Sequence, residues 1–187
     1  PTRRSSDLTN ITGAVTSAKN ISQGTLTTTT GKTLTNSGTV TVNTLTNSGS
    51  VANSGTVTVN KTLTNNSITN SGTLNLGDGS GNMTIAGTIS GDSGVTNIKS
   101  NLSNTGTITQ GTLTTASGKT LTNSSTVTVG TLTNAGSVSN TGTLTVNTTL
   151  TNSNTINNSG TFNLSGANSL GTITDTSNAG TLNLKGN

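Results

Sequence analysis

An aliphatic residue recurs at every fifth or sixth position along most of this chain, with Thr or Ser on either side and Asn, Ser or Gly following. A run that shows this spacing clearly is Leu121, Val127, Leu132, Val138, Leu144, Leu150, Ile156 and Phe162. In a strand, alternate side chains point to opposite faces, so each short segment turns one aliphatic residue inward and its Thr or Ser neighbours outward. One such strand cannot bury its aliphatic side chain unaided, so the pattern predicts strands stacked in a solenoid.

Three of these strands fit one coil of 17–20 residues. We expect strands of like sequence to stack on one face, so that each face contains strands from both ends of the chain. The first face would contain residues 39–42 and 126–129, the second 44–46 and 131–133, and the third 50–52 and 137–139.

A long block of the sequence is duplicated. Residues 23–37 recur as residues 110–124, at an offset of 87 positions that becomes 88 near Ile68 and Ile156. The two blocks cover about residues 20–76 and 107–164, and a looped segment joins them. Within that segment, glycine-rich stretches at 77–82 and 91–94 interrupt the spacing, and we interpret them as longer loops rather than as a domain boundary.

Composition rules out an ordinary globular core. About two-thirds of the residues are Thr, Asn, Ser or Gly, only 25% are hydrophobic, and there is no Cys to form disulfides. Each buried Leu or Val contributes roughly 1.5–3 kcal/mol, which becomes available only when coils stack. We therefore predict an all-β, three-sided parallel β-helix of about nine coils. Disorder is the alternative that low hydrophobicity allows, but it would not require the regular aliphatic spacing.

The corners between strands contain Asn-Ser-Gly and related sequences. Glycine and Asn tolerate positive φ, which suits a tight corner. Asn36, Asn53 and Asn70 lie 17 residues apart, and Asn123 and Asn140 repeat that step. We expect their amides to stack in a ladder along one corner, as amides do in cross-β assemblies.

Residues 1–8 differ from everything that follows and look like a translated sequencing adapter, so we treat residues 9–187 as one solenoid domain. The end of the sequence falls within the repeat pattern. We therefore expect a fragment truncated at both ends, with any export signal outside this chain.

The chemistry needed for most catalysis is missing from the sequence, which has no His, Cys, Glu, Trp or Tyr. We expect no enzymatic activity and no cofactor. Asp78 and Asp92 lie in glycine-rich loops, where a solvated turn Asp is favoured over a calcium ligand because calcium requires several oxygens. Beyond Arg3 and Arg4 there is no basic cluster, which argues against nucleic-acid binding, and there is no apolar run long enough to span a membrane.

Several units resemble the repeats of autotransporter passengers and filamentous-haemagglutinin-like exoproteins. They are residues 34–40, 68–74 and 156–162, and residues 164–170 are similar to the β-strand repeats of autotransporter passengers. The resemblance covers nearly all of residues 9–187. It implies a right-handed β-helix, secreted or displayed on the surface of a Gram-negative bacterium as a stalk or adhesin. Its partners would be neighbouring coils of the full-length protein, and a host surface, a glycan or other copies of itself.

A second function class is ice binding, because regular Thr-x-Thr rows resemble the flat faces of β-solenoid antifreeze proteins. The candidate residues of the predicted second face are Thr25, Thr27, Thr44, Thr46, Thr62, Thr64, Thr112, Thr114, Thr131, Thr133, Thr149 and Thr151. We favour the simpler explanation that these positions are Thr because Thr is soluble and suited to β-strands. Irregular coil lengths and the break between the blocks would spoil a long lattice, and any binding would then lie in loops such as 77–82.

Overall fold

A computed structural model of the chain describes residues 8–169, 172–174 and 180–185, and these form a parallel β-solenoid of about nine turns. The all-β prediction is therefore confirmed. The adapter-like residues 1–7 lie outside the described residues, and Leu8 opens the first strand. The strands are β1 Leu8–Ile11, β2 Val15–Ser17, β3 Ile21–Thr28, β4 Thr33–Asn36, β5 Thr39–Asn53, β6 Thr56–Asn70, β7 Thr73–Leu76, β8 Asn82–Ile85, β9 Thr88–Ser90, β10 Val95–Ile98, β11 Asn101–Asn104, β12 Thr107–Thr115, β13 Thr120–Asn123, β14 Thr126–Asn134, β15 Ser137–Asn140, β16 Thr143–Asn152, β17 Thr155–Asn158, β18 Thr161–Ser165, β19 Ala167–Ser169, β20 Thr172–Thr174 and β21 Thr181–Lys185.

The strand pairs arrange the chain in three stacked columns, here called A, B and C in the order in which the chain passes through them. Column A contains residues 21–23 of β3, 39–42 of β5, 56–59 of β6, β7, β10, 112–115 of β12, 131–134 of β14, 149–152 of β16 and β19. Column B contains β1, residues 25–28, 44–47 and 62–65 of β3, β5 and β6, and then β8, β11, β13, β15, β17 and β20. Column C contains β2, β4, residues 50–53 and 67–70, β9, residues 107–110, 126–129 and 143–146, β18 and β21.

The core is a line of aliphatic side chains enclosed by the three columns. Burial alternates along the strands, as predicted: Val57 is completely buried and Thr58, its neighbour, is only half-buried. The pattern extends from Ile11 to Leu164. Because each passage through a column contributes only one or two inward aliphatic residues, a coil depends on its neighbours to bury them.

The two duplicated blocks do not stack like strand upon like strand, so that part of the prediction is wrong. Val40 lies in column A, but its duplicate Val127 lies in column C, paired with Ile108 and Leu144. The predicted first, second and third faces follow columns A, B and C in the first block but columns C, A and B in the second. The second block is therefore turned by one column relative to the first.

The segment that joins the blocks causes this turn. It was interpreted as looped, yet it contributes the four strands β8, β9, β10 and β11, which continue columns B, C, A and B. If two or five strands, instead of four, had separated β7 from residues 107–110, strands of like sequence in the two blocks would lie in the same column. β8 contacts β6 but starts a separate six-stranded sheet, so the backbone ladder of column B changes sheet at this point.

Differences in coil length are absorbed at the corners. Between Val42 and Thr44 the chain has one residue, whereas two residues separate Val59 from Thr62 in the coil below, and the pairing on either side is kept. A similar shift follows Val129 in β14. The ladders inside each column therefore stay in register despite the irregular spacing of the sequence.

The corner glycines are required for a reason other than the predicted positive φ. Gly38, Gly55 and Gly72 lie one above another, and a Cβ on Gly55 would clash with the carbonyl oxygen of Gly38. Their φ angles are not in the left-handed region, which is occupied instead by glycines in the longer turns, such as Gly31 and Gly118. The corners of consecutive coils thus approach too closely for any side chain.

The predicted stacking of asparagine amides is confirmed, but it forms two ladders at different corners instead of one, because Asn36, Asn53 and Asn70 end strands of column C whereas Asn123 and Asn140 end strands of column B. Asn36 donates from Nδ2 to Oδ1 of Asn53 over 2.8 Å, and Asn53 donates to Asn70 over 2.7 Å. A second ladder runs from Asn104 through Asn123 and Asn140 to Asn158. Most of these amides also donate to backbone carbonyls at their own corner and in the next coil, as Asn53 does to Gly55 and Thr73.

Candidate functional site

The candidate Thr-x-Thr residues lie on the outer surface, as predicted, but on two columns instead of one. In the first block, residues 25–27, 44–46 and 62–64 stack in column B. In the second block, residues 112–114, 131–133 and 149–151 stack in column A. The structure therefore separates the twelve candidate residues into two groups of three rungs.

Each group nevertheless continues into strands of a different sequence type. Below residues 62–64, column B continues with the outward residues Asn82 and Thr84, and above residues 112–114, column A contains Val95 and Asn97. Column C has the longest hydroxyl surface, because from β4 to residues 143–145 every outward position of its ladder is Thr or Ser except Ala52, and only below them do Asn163 and its partner Asn183 follow in β18 and β21. From top to bottom these pairs are Thr33/Thr35, Ser50/Ala52, Ser67/Thr69, Thr88/Ser90, Thr107/Thr109, Thr126/Thr128 and Thr143/Thr145.

The junction interrupts the predicted Thr-x-Thr row, as expected, but it does not interrupt the hydroxyl row of column C. The Ser67 row passes through Thr88 to Thr107 by direct strand pairing, across the segment that joins the blocks. The sequence could not show this, because the strands that pair across the junction are not the strands whose sequences are alike.

The glycine-rich loop 77–82 is held against the coils on both sides. Asp78 forms an ion pair with Lys61 of the preceding coil and accepts hydrogen bonds from the backbone and side chain of Ser80. Lys119 donates to the carbonyl oxygen of Gly79 over 2.7 Å, and Ser100 donates to that of Ser80 over 3.0 Å. Positive φ angles at Gly77, Gly79 and Gly81 permit this tight course.

The hydrogen bond from Lys61, and those from Ser80, hold the pKa of Asp78 well below its ordinary value. The carboxylate is thus engaged by a cation and a turn. Among the described residues, no group of three or more His, Cys, Asp or Glu side chains lies close enough to hold a metal ion.

Beside this loop, column B carries a polar groove of about 420 Å³. It crosses β8, β11 and β13 and is lined by Asn82, Met83, Thr84, Asn101, Leu102, Ser103, Thr120 and Thr122. Asn101 donates to Asn82 over 3.2 Å and accepts from the backbone of Thr120 over 3.1 Å, which joins the three strands along one edge. Sequence analysis missed this groove, because only the pairing of β8 with β11 and β13 brings its residues together.

A buried polar cluster at the junction was also missed. Gln110 accepts at Oε1 from Asn70, 40 residues earlier, over 2.8 Å and from the hydroxyl of Thr96 over 2.9 Å. Its Nε2 donates to the carbonyl oxygen of Gly91 over 3.2 Å. Gln110 and Thr96 are 2% and 0% exposed, so the cluster ends the first asparagine ladder inside the core.

No helix among the described residues has the length and apolar character needed to cross a membrane. Comparison with known protein families, with curated proteins and with solved structures finds no match to this chain.

Proposed function

We propose that this chain is a non-catalytic structural and adhesive stalk segment of a large secreted bacterial surface protein, of the adhesin or autotransporter-passenger type. In the full-length protein, neighbouring coils would continue the stack, and the rod would hold a binding region away from the cell. Its place would be outside the cell or on the outer face of a Gram-negative outer membrane.

The observation that carries this proposal is the unbroken stack of short strands. The core of each column continues through the junction, and asparagine ladders tie neighbouring coils together on either side of it. A structure in which each unit contacts only its neighbours makes a long rod from a simple sequence. The residue inventory agrees, because a sequence without His, Cys, Glu or Tyr lacks most catalytic bases and nucleophile partners.

The test is to locate the protein and to read the coding sequence on either side of this segment. Antibodies raised against residues 9–187 should label the surface of unpermeabilised source cells or detect the protein in the medium. The flanking sequence should encode further coils together with an export domain upstream or an outer-membrane barrel downstream. Labelling confined to the cytoplasm, or flanking catalytic domains without an export route, would overturn the proposal.

A second candidate function, ice binding, is favoured by one observation, the continuous hydroxyl rows of column C. A lattice-matching surface needs outward hydroxyls about 4.8 Å apart between coils and roughly 7 Å apart along a strand. In the second block, residues 107–109, 126–128 and 143–145 supply three such rungs in succession.

Thermal hysteresis and ice-crystal shaping separate the two candidates. For a stalk, we expect neither from residues 9–187. For ice binding by column C, we expect ice shaping that disappears with Thr128→Tyr and Thr145→Tyr. It should persist with Thr133→Tyr and Thr151→Tyr in column A. That pair of results would establish ice binding in place of the stalk. The two pairs of variants match, because both alter Thr-x-Thr rungs in neighbouring coils.

A further inference from the structure

We propose that the groove across β8, β11 and β13 binds an acidic oligosaccharide, one that carries carboxylate groups. The inference adds a ligand and a place to the proposed adhesive rod, yet the groove would bind the same ligand whatever the rod's location.

The size of the groove suits a short stretch of polysaccharide. Its volume of about 420 Å³ lies in the range of roughly 300–1,000 Å³ typical of ligand sites. Met83 and Leu102, which lie between the outward residues along the groove, are buried in the core, while the outward amides and hydroxyls supply donors and acceptors. Such mixed, uncharged groups match the hydroxyls of a sugar ring.

Positive charge follows the edge of the groove, where column A turns into column B. Four successive coils pass this corner. It holds Lys61 in the first coil, Asp78 in the second, Lys99 in the third and Lys119 in the fourth. Asp78 neutralises Lys61. Lys99 is exposed and lies two residues before Asn101, and Lys119, whose ammonium donates to the carbonyl oxygen of Gly79, directly precedes Thr120. Two lysines without a carboxylate partner among the described residues therefore flank the groove.

The remaining surface of the groove argues against a nucleic acid as the ligand. Single strands are held by aromatic stacking combined with a basic track, and none of the residues that line this groove is aromatic. Two lysines beside neutral amides and hydroxyls fit a ligand that is mostly hydroxylated and only sparsely charged. A carboxylated sugar chain has that chemistry.

The test is titration of the 187-residue chain with a hexasaccharide of uronic acid residues, followed by calorimetry and by amide chemical shifts. We expect shifts at residues 82–84, 101–103 and 120–122, and binding that weakens as salt is raised. The fully methyl-esterified hexasaccharide should bind at least about tenfold more weakly, because it offers no carboxylate to the lysines. Equal binding of the ester would overturn the proposal.

The duplicated sequence supplies matched controls. Lys119→Gln and Lys99→Gln should each weaken binding by about fivefold, whereas Lys32→Gln, which alters the duplicate of Lys119 at another corner, should change it less than twofold. Likewise Thr122→Tyr should block the groove, while Thr35→Tyr, at the duplicate position in column C, should leave binding intact. Circular dichroism checks that each variant folds.

Three further results would each overturn the proposal. They are no binding at millimolar hexasaccharide, equal losses in the two members of a matched pair, and equally tight binding of an oligothymidylate of the same charge. None of these results depends on where the protein is located. The proposal for the groove and the proposal for the stalk can therefore be contradicted independently.

Discussion

At the scale of single residues, buried asparagines give the stack its specificity. An aliphatic core alone would tolerate sliding between coils, but an amide must meet the amide of the next coil to be satisfied. Asn53 shows this clearly, since its Nδ2 donates to Asn70, Gly55 and Thr73 while its Oδ1 accepts from Asn36.

Replacing a middle rung should therefore be costly. We expect Asn53→Leu to lower the free energy of unfolding by about 2–4 kcal/mol, because buried polar groups in two other coils lose their partner. Guanidinium unfolding monitored by circular dichroism measures this. Asn43→Leu, at an exposed corner, is the control and should stay within about 0.5 kcal/mol of the parent. Equal effects would mean that the ladder contributes little.

Two shorter ladders offer the opposite experiment: in one Asn47 donates to Asn65 over 3.0 Å, and in the other Asn134 donates to Asn152 over 2.8 Å. Thr28 lies directly above Asn47, both are buried, and neither the Thr28 hydroxyl nor Oδ1 of Asn47 has a hydrogen-bond partner. We expect Thr28→Asn to raise the unfolding free energy by about 1 kcal/mol, because the new amide can donate to Asn47 and lengthen the ladder.

The same arrangement recurs at Thr115 and Asn134, so Thr115→Asn should behave alike. Thr27→Asn, on the outer surface, serves as the control and should have no such effect. Destabilisation by both buried substitutions would show that the corner lacks room for another amide.

At the scale of strands and corners, the sequence predicts the strands of the two blocks well, but neither the four strands of the segment between the blocks nor the position of each strand around the rod. Alternation in residues 56–59 is enough to turn Val57 inward and Thr58 outward, because that choice is local. Which column Val127 joins depends on how many strands lie between the blocks, and the short β9 and β10 inside a glycine-rich segment give a weak signal. The groove beside loop 77–82 depends on the same count and was therefore not predicted.

The inward and outward assignment can be tested with a pair of charges. We expect Val57→Asp to destabilise the protein by at least about 4 kcal/mol, because it places a carboxylate in the core without a partner. Thr58→Asp should cost less than about 1 kcal/mol because that position reaches water. Chemical denaturation of both variants provides the comparison, and similar midpoints would contradict the register of β6.

The corner glycines allow a test of close approach as distinct from backbone conformation. Gly55→Ala should destabilise by about 2–4 kcal/mol, since its Cβ would meet the backbone of Gly38, which cannot move independently. Gly13→Ala has no atom within 4 Å of the added Cβ and should be neutral or slightly stabilising. Thermal unfolding of the two variants measures the difference, and a neutral Gly55→Ala would mean that neighbouring corners can separate easily.

At the scale of the whole molecule, the junction decides whether the two blocks unfold together. Gln110 reaches past the coil that contains Gly91 to bond with Asn70, and so links the core of one block to the other. We expect Gln110→Met to cost about 2–4 kcal/mol, because the buried Asn70 amide and Thr96 hydroxyl lose their acceptor. Hydrogen exchange should then show the blocks opening separately.

Gln23 is the duplicate of Gln110 and supplies the control for that experiment. It is buried, but its Oε1 has no hydrogen-bond partner, so Gln23→Met should be neutral or stabilising. Loss of stability from both substitutions alike would indicate that the side-chain volume matters and the junction cluster does not.

The turn of the second block has a consequence for how such a rod can lengthen. Column A descends through Val40, Val57, Leu74, Thr96 and Leu113, after which the chain passes Leu121 in column B before reaching Val127 in column C. The copied segment thus begins again after four full revolutions and two-thirds of another. Growth by gene duplication therefore need not add complete revolutions, only complete strands with their corners. If the same step were repeated, successive copies would begin in each of the three columns in turn. A chain whose sequence repeats along its length would then present the same surface on all three sides.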